Sequence, residues 1–352
     1  MKTILRSVAT ANPALYITRE QAFETFVSRF TLQDREKELY RRILLEGPIK
    51  GRYVGMHSTA EATEDDQDRL ISRFQHFGLQ IAVEASRKAL QSAGMAGDEV
   101  KGLVVNTCTG YLCPGLSSHV AEALALKAST RPMDIMGMGC GAALPNLQAA
   151  DNMTRADSAK PVLSVAVEIC SATLFMDPDP GVVISNCIFG DGAAAAVVAT
   201  VPDESDEGIL TLIDFESGIY PEYRDYLHYR TEKHRLRNVL TKEVPVIGAR
   251  VIKDVIGRLL ERHQLSPEQI DRWIVHPGGT EVLDQLAKKM GIGKEKLSHA
   301  YDIFTQYGNM SSPSVLFVLK KMIEESKPQR GELGLMLTFG AGFTAFAALV
   351  RF

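Results

Sequence analysis

An α/β fold assembled from two similar halves is what this sequence predicts, and three observations predict it. Strand-like and helix-like segments alternate along all 352 residues, and each half carries strand–helix–strand units of similar size. An acidic, turn-prone stretch, 202-PDESDEG-208, separates them. A boundary there gives an N-terminal half of 1–203 and a C-terminal half of 204–352.

The elements follow in order. The N-terminus reads as a short strand and a loop, and residues 17–47 as charged helix. Residues 77–95 repeat apolar side chains at helical spacing and stop at Gly94, a residue suited to the turn that ends a helix. A buried strand is predicted at 101-KGLVVNTCTG-110 and a helix near 117–127. A strand at 131-RPMDIMGMGC-140 runs into the Ala/Leu-rich segment 141–153. The short apolar runs 161–170 and 192–201 read as central strands, because parallel sheets covered on both faces show no polar alternation. The second half opens with a strand at 209–217, then a helix at 249–264, a strand at 271–279 and a helix at 281–291. A helix running from around Pro313 to about 325 and two strands, 332–342 and 343–352, complete it.

Composition excludes several classes. The chain is 45% hydrophobic and 23% charged, which is globular and neither disordered nor coiled coil. With 39 Lys plus Arg against 43 Asp plus Glu, the net charge of −4 disfavours general nucleic-acid binding. No apolar run approaches the roughly 18 residues of a membrane span. The N-terminus lacks a long apolar segment with a cleavage site. Five cysteines, an odd number without a CxxC pair, predict free thiols in a reducing cytoplasm and no structural zinc.

Three segments carry chemistry. Cys140 sits in Gly139–Cys140–Gly141, between an apolar strand and an apolar helix, where a sharp turn gives close backbone approach and helix-end amides favour thiolate. His276 ends a buried strand and precedes a Pro-Gly-Gly turn, the end at which α/β folds present catalytic groups. The other seven histidines, His228 among them, read as ordinary structural hydrogen-bonders. Asn309, in 307-YGNMSSPS-314, is by itself a fair helix cap. Taken with Cys140 and His276 it completes a set of nucleophile, base and polar orienter. A papain-like protease also carries Cys, His and Asn in that order, and the 136-residue separation of Cys140 from His276 is comparable. The sequence around Cys140 lacks the papain signature, which rejects that reading.

Beyond these three residues the chain resembles the type III polyketide synthases of the chalcone and stilbene synthase superfamily, which have a thiolase-like fold. The motifs that carry the resemblance are IKGRY (49–53), TGYLCPG (109–115), the Gly-Cys turn, the strand ending at Glu168, FGDGAAAAVV (189–198), KEVP (242–245), WIVHPGG (273–279), YGNMSS (307–312) and FGAG (339–342). They span nearly the whole length.

The resemblance implies duplicated α/β halves in a layered α-β-α-β-α core, and a homodimer using acyl-CoA and malonyl-CoA with no cofactor or metal. Cys140 takes the role of the acyl-carrying nucleophile. His276 and Asn309 become the pair that polarises thioester carbonyls and stabilises the enolate left when malonyl-CoA loses carbon dioxide. A thiolate–imidazolium pair between Cys140 and His276 is expected. Phe189 matches the first gatekeeper between CoA tunnel and cavity. Ser311 follows as a cavity residue, and Lys50 and Arg52 as the cations for CoA phosphates. Departures from the plant pattern are also implied. The second gate falls at or near Asn238; Cys108 and Cys170 replace threonines lining the cavity; Cys113 replaces a methionine reaching into the neighbouring subunit. Gly141 follows the nucleophile where a bulky aromatic is common, and Ala341 replaces proline. These changes enlarge the pocket and favour a microbial-type enzyme, with a medium or long fatty acyl starter ending in a pyrone or resorcinol-type product. A malonyl-CoA-primed enzyme and a single-condensation ketoacyl synthase are the alternatives; a catalytically dead interaction protein is disfavoured by the three retained polar residues.

Overall fold

A computed structural model describes residues 1–156 and 160–352. In the first half the elements run β1 (Lys2–Ala11), β2 (Leu15–Thr18), α1 (Arg19–Arg29), α2 (Asp34–Leu45), β3 (Gly51–Val54), α3 (Gln67–Ser92), β4 (Gly102–Asn106) and α4 (Leu116–Ala123). There follow β5 (Arg131–Ile135), α5 (Ala143–Ala156), β6 (Val162–Glu168), α6 (Pro180–Ile188) and β7 (Gly192–Val201). The second half holds β8 (Leu210–Ile219), β9 (Leu227–Glu232), β10 (Arg235–Leu240), α7 (Val244–Arg262), β11 (Arg272–Val275) and α8 (Thr280–Met290). It ends with α9 (Ser298–Tyr307), α10 (Ser314–Ser326), β12 (Leu333–Gly340) and β13 (Thr344–Arg351).

Nine strands form one sheet in the order β11-β12-β13-β8-β1-β7-β6-β4-β5. The halves are continuous through β1, which pairs antiparallel with β7 on one side and with β8 on the other, Thr3 opposite Leu212. Helices α5 and α10 each touch strands of both halves and fill the middle layer. Helices α3 and α4 cover the outer face of the first-half strands, and α7 covers the second. The result is α-β-α-β-α layering.

The sequence explains the middle layer. Small residues on α5 let a helix fit between two sheet faces, and Ala143, Leu144, Leu147 and Ala150 are fully buried there. Its one buried amide, Asn146, is matched: Nδ2 donates to the carbonyls of Val104 and Val165 and to Asn106 Oδ1, and Oδ1 accepts from Ser164. All ten residues of β7 are buried, as a strand covered on both faces requires.

Several boundaries move. Helix α3 begins ten residues before the predicted start, capped by Asp66, whose side chain accepts from Arg69 N–H. Strands β4 and β5 stop at Asn106 and Ile135, which leaves 107–110 and 136–138 as loops facing the site. Helix α6, the pair β2–β3 and the hairpin β9–β10 were absent from the sequence reading. The hairpin carries Arg230, Arg235 and Arg237 in place of alternating apolar residues, so its pattern resembles a charged loop. No helix among the described residues is long and apolar enough to cross a membrane.

Candidate active site

Cys140 stands on a one-turn 3₁₀ segment, 139–141, between β5 and α5. Gly139 has φ +55°, and Ala142 N–H donates to its carbonyl at 3.2 Å, which bends the chain into the helix. The end of β12 supports this turn from behind. Thr338 Oγ1 donates to the Gly141 carbonyl at 3.0 Å, and Gly340 lies so close that a Cβ there would stand 2.2 Å from Met138 O and 2.6 Å from Gly141 N.

His276 follows β11, where its N–H donates to Leu337 O across the parallel pairing with β12. The imidazole is 1% exposed, lies edge-on to Phe339 with centroids 6.0 Å apart, and its Nδ1 has no hydrogen-bond partner among the described residues. Asn309 precedes α10 and is tied by a bridge to Phe189, at the end of α6. Its side chain is oriented from two directions: Nδ2 donates to Gly278 O at 3.2 Å, and Oδ1 accepts from Ser311 N–H at 2.8 Å. One amide N–H of Asn309 has no further partner among the described residues.

Cys140, His276 and Asn309 all line one cavity of about 1210 Å³, counting its open mouth. Its walls are apolar, with Ile49, Val244, Phe304 and Phe339 among them, and exposed Pro48 and Lys242 mark the mouth. Past Cys140 lies a second chamber of about 330 Å³, walled by Cys108, His228, Tyr229, Asn238, Ser311 and Ala341. A third, of about 790 Å³, holds Arg52, Cys170, Phe175, Tyr229 and Asn238. Phe189 lines all three. It stands at their junction.

Two expected residues lie elsewhere. Gly141 faces away from every chamber, and a Cβ there would meet the Phe346 ring at 3.0 Å, so the missing bulk after Cys140 opens no room beside the nucleophile. Arg52 is 4% exposed and cannot sit at a tunnel mouth; its Nη1 donates to the carbonyls of Asn186 and Phe189 and so caps α6. Cys113 is exposed on its loop and lines none of the three chambers of this chain. Lys50 is exposed next to Ile49 of the cavity wall. Sequence reasoning passed over His228 and Tyr229, since the unread hairpin hid the only signal that could have placed them. Glu168 is wholly buried and accepts from Thr107, Cys108 N–H, Thr109 and Ser312, which anchors the loop behind Cys108.

Burial dominates the electrostatics of the site. Burial pushes the Cys140 thiol up to about 12, and the Ser311 hydroxyl and the backbone amide only partly offset it. Burial alone pushes His276 down to about 3. Burial thus disfavours both charged forms, the Cys140 thiolate and the His276 imidazolium. Neutral imidazole is the form that can accept the thiol proton as substrate arrives. Inactivation of Cys140 by iodoacetamide should accelerate close to tenfold per pH unit between about pH 7 and 9, because the thiolate fraction climbs steadily toward so high a pKa. A rate constant over that window would restore the ion pair.

A Cys–His–Asn cavity in this layered fold defines a condensing enzyme that works on CoA thioesters. The comparisons agree. Residues 9–215 match the FAE1/type III polyketide synthase-like family model, and residues 216–352 match the chalcone and stilbene synthase C-terminal domain. The chain belongs to the type III polyketide synthase family: it is a carbon–carbon bond-forming acyltransferase with the thiolase-like fold. It is 30% identical to 3,5-dihydroxyphenylacetyl-CoA synthase of Streptomyces toyocaensis, over 92% of this chain and 84% of that one. It is 26% identical to the alpha-pyrone synthesis polyketide synthase-like Pks18 of Mycobacterium tuberculosis, over 97% of this chain and 89% of that one. The crystal structure of PKS-I from the brown alga Ectocarpus siliculosus superposes with a TM-score of 0.91 at 25% identity, covering 99% of this chain and 98% of that one.

Proposed function

We propose that this enzyme loads a medium or long fatty acyl group from CoA onto Cys140 and extends it iteratively with malonyl-CoA, releasing a pyrone or resorcinol-type product. The observation that carries this reading is the shared, largely apolar cavity of Cys140, His276 and Asn309, which meets two further chambers at Phe189. His276 takes the Cys140 proton as sulfur attacks the starter thioester. Malonyl-CoA then enters the emptied tunnel. Its carboxylate, facing Phe189 and other apolar walls, gains by leaving as neutral carbon dioxide. The C–C electron pair becomes an enolate whose oxygen accepts from the ring N–H of His276 and the spare N–H of Asn309. The enolate carbon attacks the acyl-Cys140 carbonyl, the C–S bond breaks, and the lengthened chain returns from CoA to Cys140 for the next round. No cofactor beyond the CoA substrates is needed.

The chamber beyond Phe189 supports a long starter, with Ile17, Phe26, Val54 and Phe175 in its walls. An alkyl chain lodged there gains about 0.8 kcal/mol per buried methylene, about fourfold in specificity. Across a panel of acyl-CoA starters with malonyl-CoA, kcat/KM should rise beyond about six carbons. A profile that peaks at acetyl-CoA, or priming by malonyl-CoA alone, would favour the short-chain alternative; a single condensation that needs a carrier protein would favour the ketoacyl synthase. With Arg52 buried, Lys50 and Lys242 are the cations we assign to CoA phosphates, so Lys50→Glu should raise the malonyl-CoA KM, by about tenfold at low salt.

We also read the chain as a homodimer of two-part subunits, 1–203 and 204–352. Strand β5 is an open sheet edge, and Tyr111, Met133 and Met136 are large exposed apolar residues beside it and near Cys113. Sedimentation at low micromolar concentration should give twice the chain mass. A fully active monomer would overturn this.

A further inference from the structure

We propose that His228 is a second proton-transfer residue, serving the step in which the finished chain leaves Cys140. The inference rests on the polyketide reading above and concerns its last step. His228 lines the 330 Å³ chamber together with Cys140, whereas His276 and Asn309 line only the cavity on the tunnel side. A chain folded into that chamber has passed beyond the residues that built it. Its cyclisation needs a proton acceptor of its own.

The other polar groups of the chamber are already committed. Cys108 donates to Glu168 Oε2 and lies 3.6 Å from Ser311 Oγ; Asn238 Nδ2 donates to Ser185; the Tyr229 hydroxyl is paired with Thr173. His228 differs, for its Nδ1 is buried with no hydrogen-bond partner among the described residues. An imidazole is also the side chain best matched to proton transfer near neutral pH. The element that carries it is held firmly. His228 pairs with Val239 in the β9–β10 hairpin, and Arg237 on β10 bridges to Asp177 and Asp179, each at 3.2 Å.

The step balances without any further reactant. The enol oxygen of the chain attacks the thioester carbonyl, and an O–C bond forms as the C–S bond to Cys140 breaks. The enol proton passes to His228. The electron pair leaves on sulfur, which takes that proton back from the imidazolium. A lactone departs, and the proton is back on Cys140.

The test uses octanoyl-CoA and malonyl-CoA in single turnover, following chain-loaded Cys140 by intact-protein mass spectrometry. His228→Gln, or His228→Asn if the first does not fold, should accumulate the extended chain on Cys140, with release slowed about thirtyfold. In His228→Gly, added imidazole should restore release, a rescue that a merely structural role would not give. Release within twofold of the parent in the Gln or Asn variant, or slowed release in the Gly variant that imidazole does not move, overturns the assignment. A parent that never carries an extended chain refutes the polyketide reading instead, and this step with it.

Discussion

Cys140→Ala will make no polyketide and will still decarboxylate malonyl-CoA, whereas His276→Ala will lose most of both. Removing the thiol removes the atom we assign to carry the chain, so product formation should fall by at least about 10³-fold. Decarboxylation needs no covalent link. It needs donors at the enolate oxygen and an apolar wall at the carboxylate, and both survive in Cys140→Ala. Loss of one such donor costs about 10²–10³ in rate. His276→Ala removes that donor and also leaves a hole against Phe339, which packs on the ring. The measurement is carbon dioxide release from malonyl-CoA by each variant, with product read separately. Equal decarboxylation rates in the two variants would sink the assignment of roles.

Gly340→Ala should damage the enzyme nearly as severely from outside the cavity. The added Cβ would stand 2.2 Å from Met138 O and 2.6 Å from Gly141 N, both backbone atoms of the nucleophile turn. Backbone at the junction of β5, α5 and β12 cannot give way without shifting Cys140. Overpacking of this kind costs about 3 kcal/mol, and a displacement of about 1 Å at the nucleophile costs about 10² in kcat. Gly141→Ala is the informative contrast, since the nearest atoms to its Cβ are the side chain of Phe346 at 3.0 Å and the Gly340 amide at 3.3 Å. Its loss should be smaller. Denaturation midpoints and kcat for both variants check this, and a Gly340→Ala enzyme with the parent's midpoint and turnover would be incompatible with the packing described.

The Asp191 carboxyl shows how a family motif and a physical cost coincide. It is wholly buried and accepts from Gly55 N–H, Ser171 N–H and Ser171 Oγ, tying β3 to the loop after β6. Burial nevertheless raises it to about 6. A carboxyl raised in the folded state favours its protonated form there. Its contribution to stability is therefore greatest below about pH 4 and declines as pH rises through 6. The Phe-Gly-Asp-Gly run is legible in sequence; the cost of its charge is not.

Much of the molecule was legible because local signals sufficed. Strand β7 is an unbroken apolar run whose ends, 192 and 201, were read correctly. Cys140, His276 and Asn309 each sit at a Gly-marked junction of strand, turn or helix, and those junctions are written in adjacent residues. The nucleophile, the base and the orienter needed no long-range information to be named as candidates.

What the tertiary structure alone decided was direction. Gly141 adjoins Cys140 in sequence but faces Phe346, because the 3₁₀ turn at 139–141 rotates each residue away from its neighbour. Arg52 belongs to a basic motif but is drawn inside by the carbonyls that end α6, 134 residues away. His228 looked like any structural hydrogen-bonding histidine until the β9–β10 pairing set it in the chamber that Cys140 also lines. In each case the chemistry of the residue was plain from its type. Which neighbours it met depended on contacts between distant segments, and those arise only when the two halves close around α5 and α10.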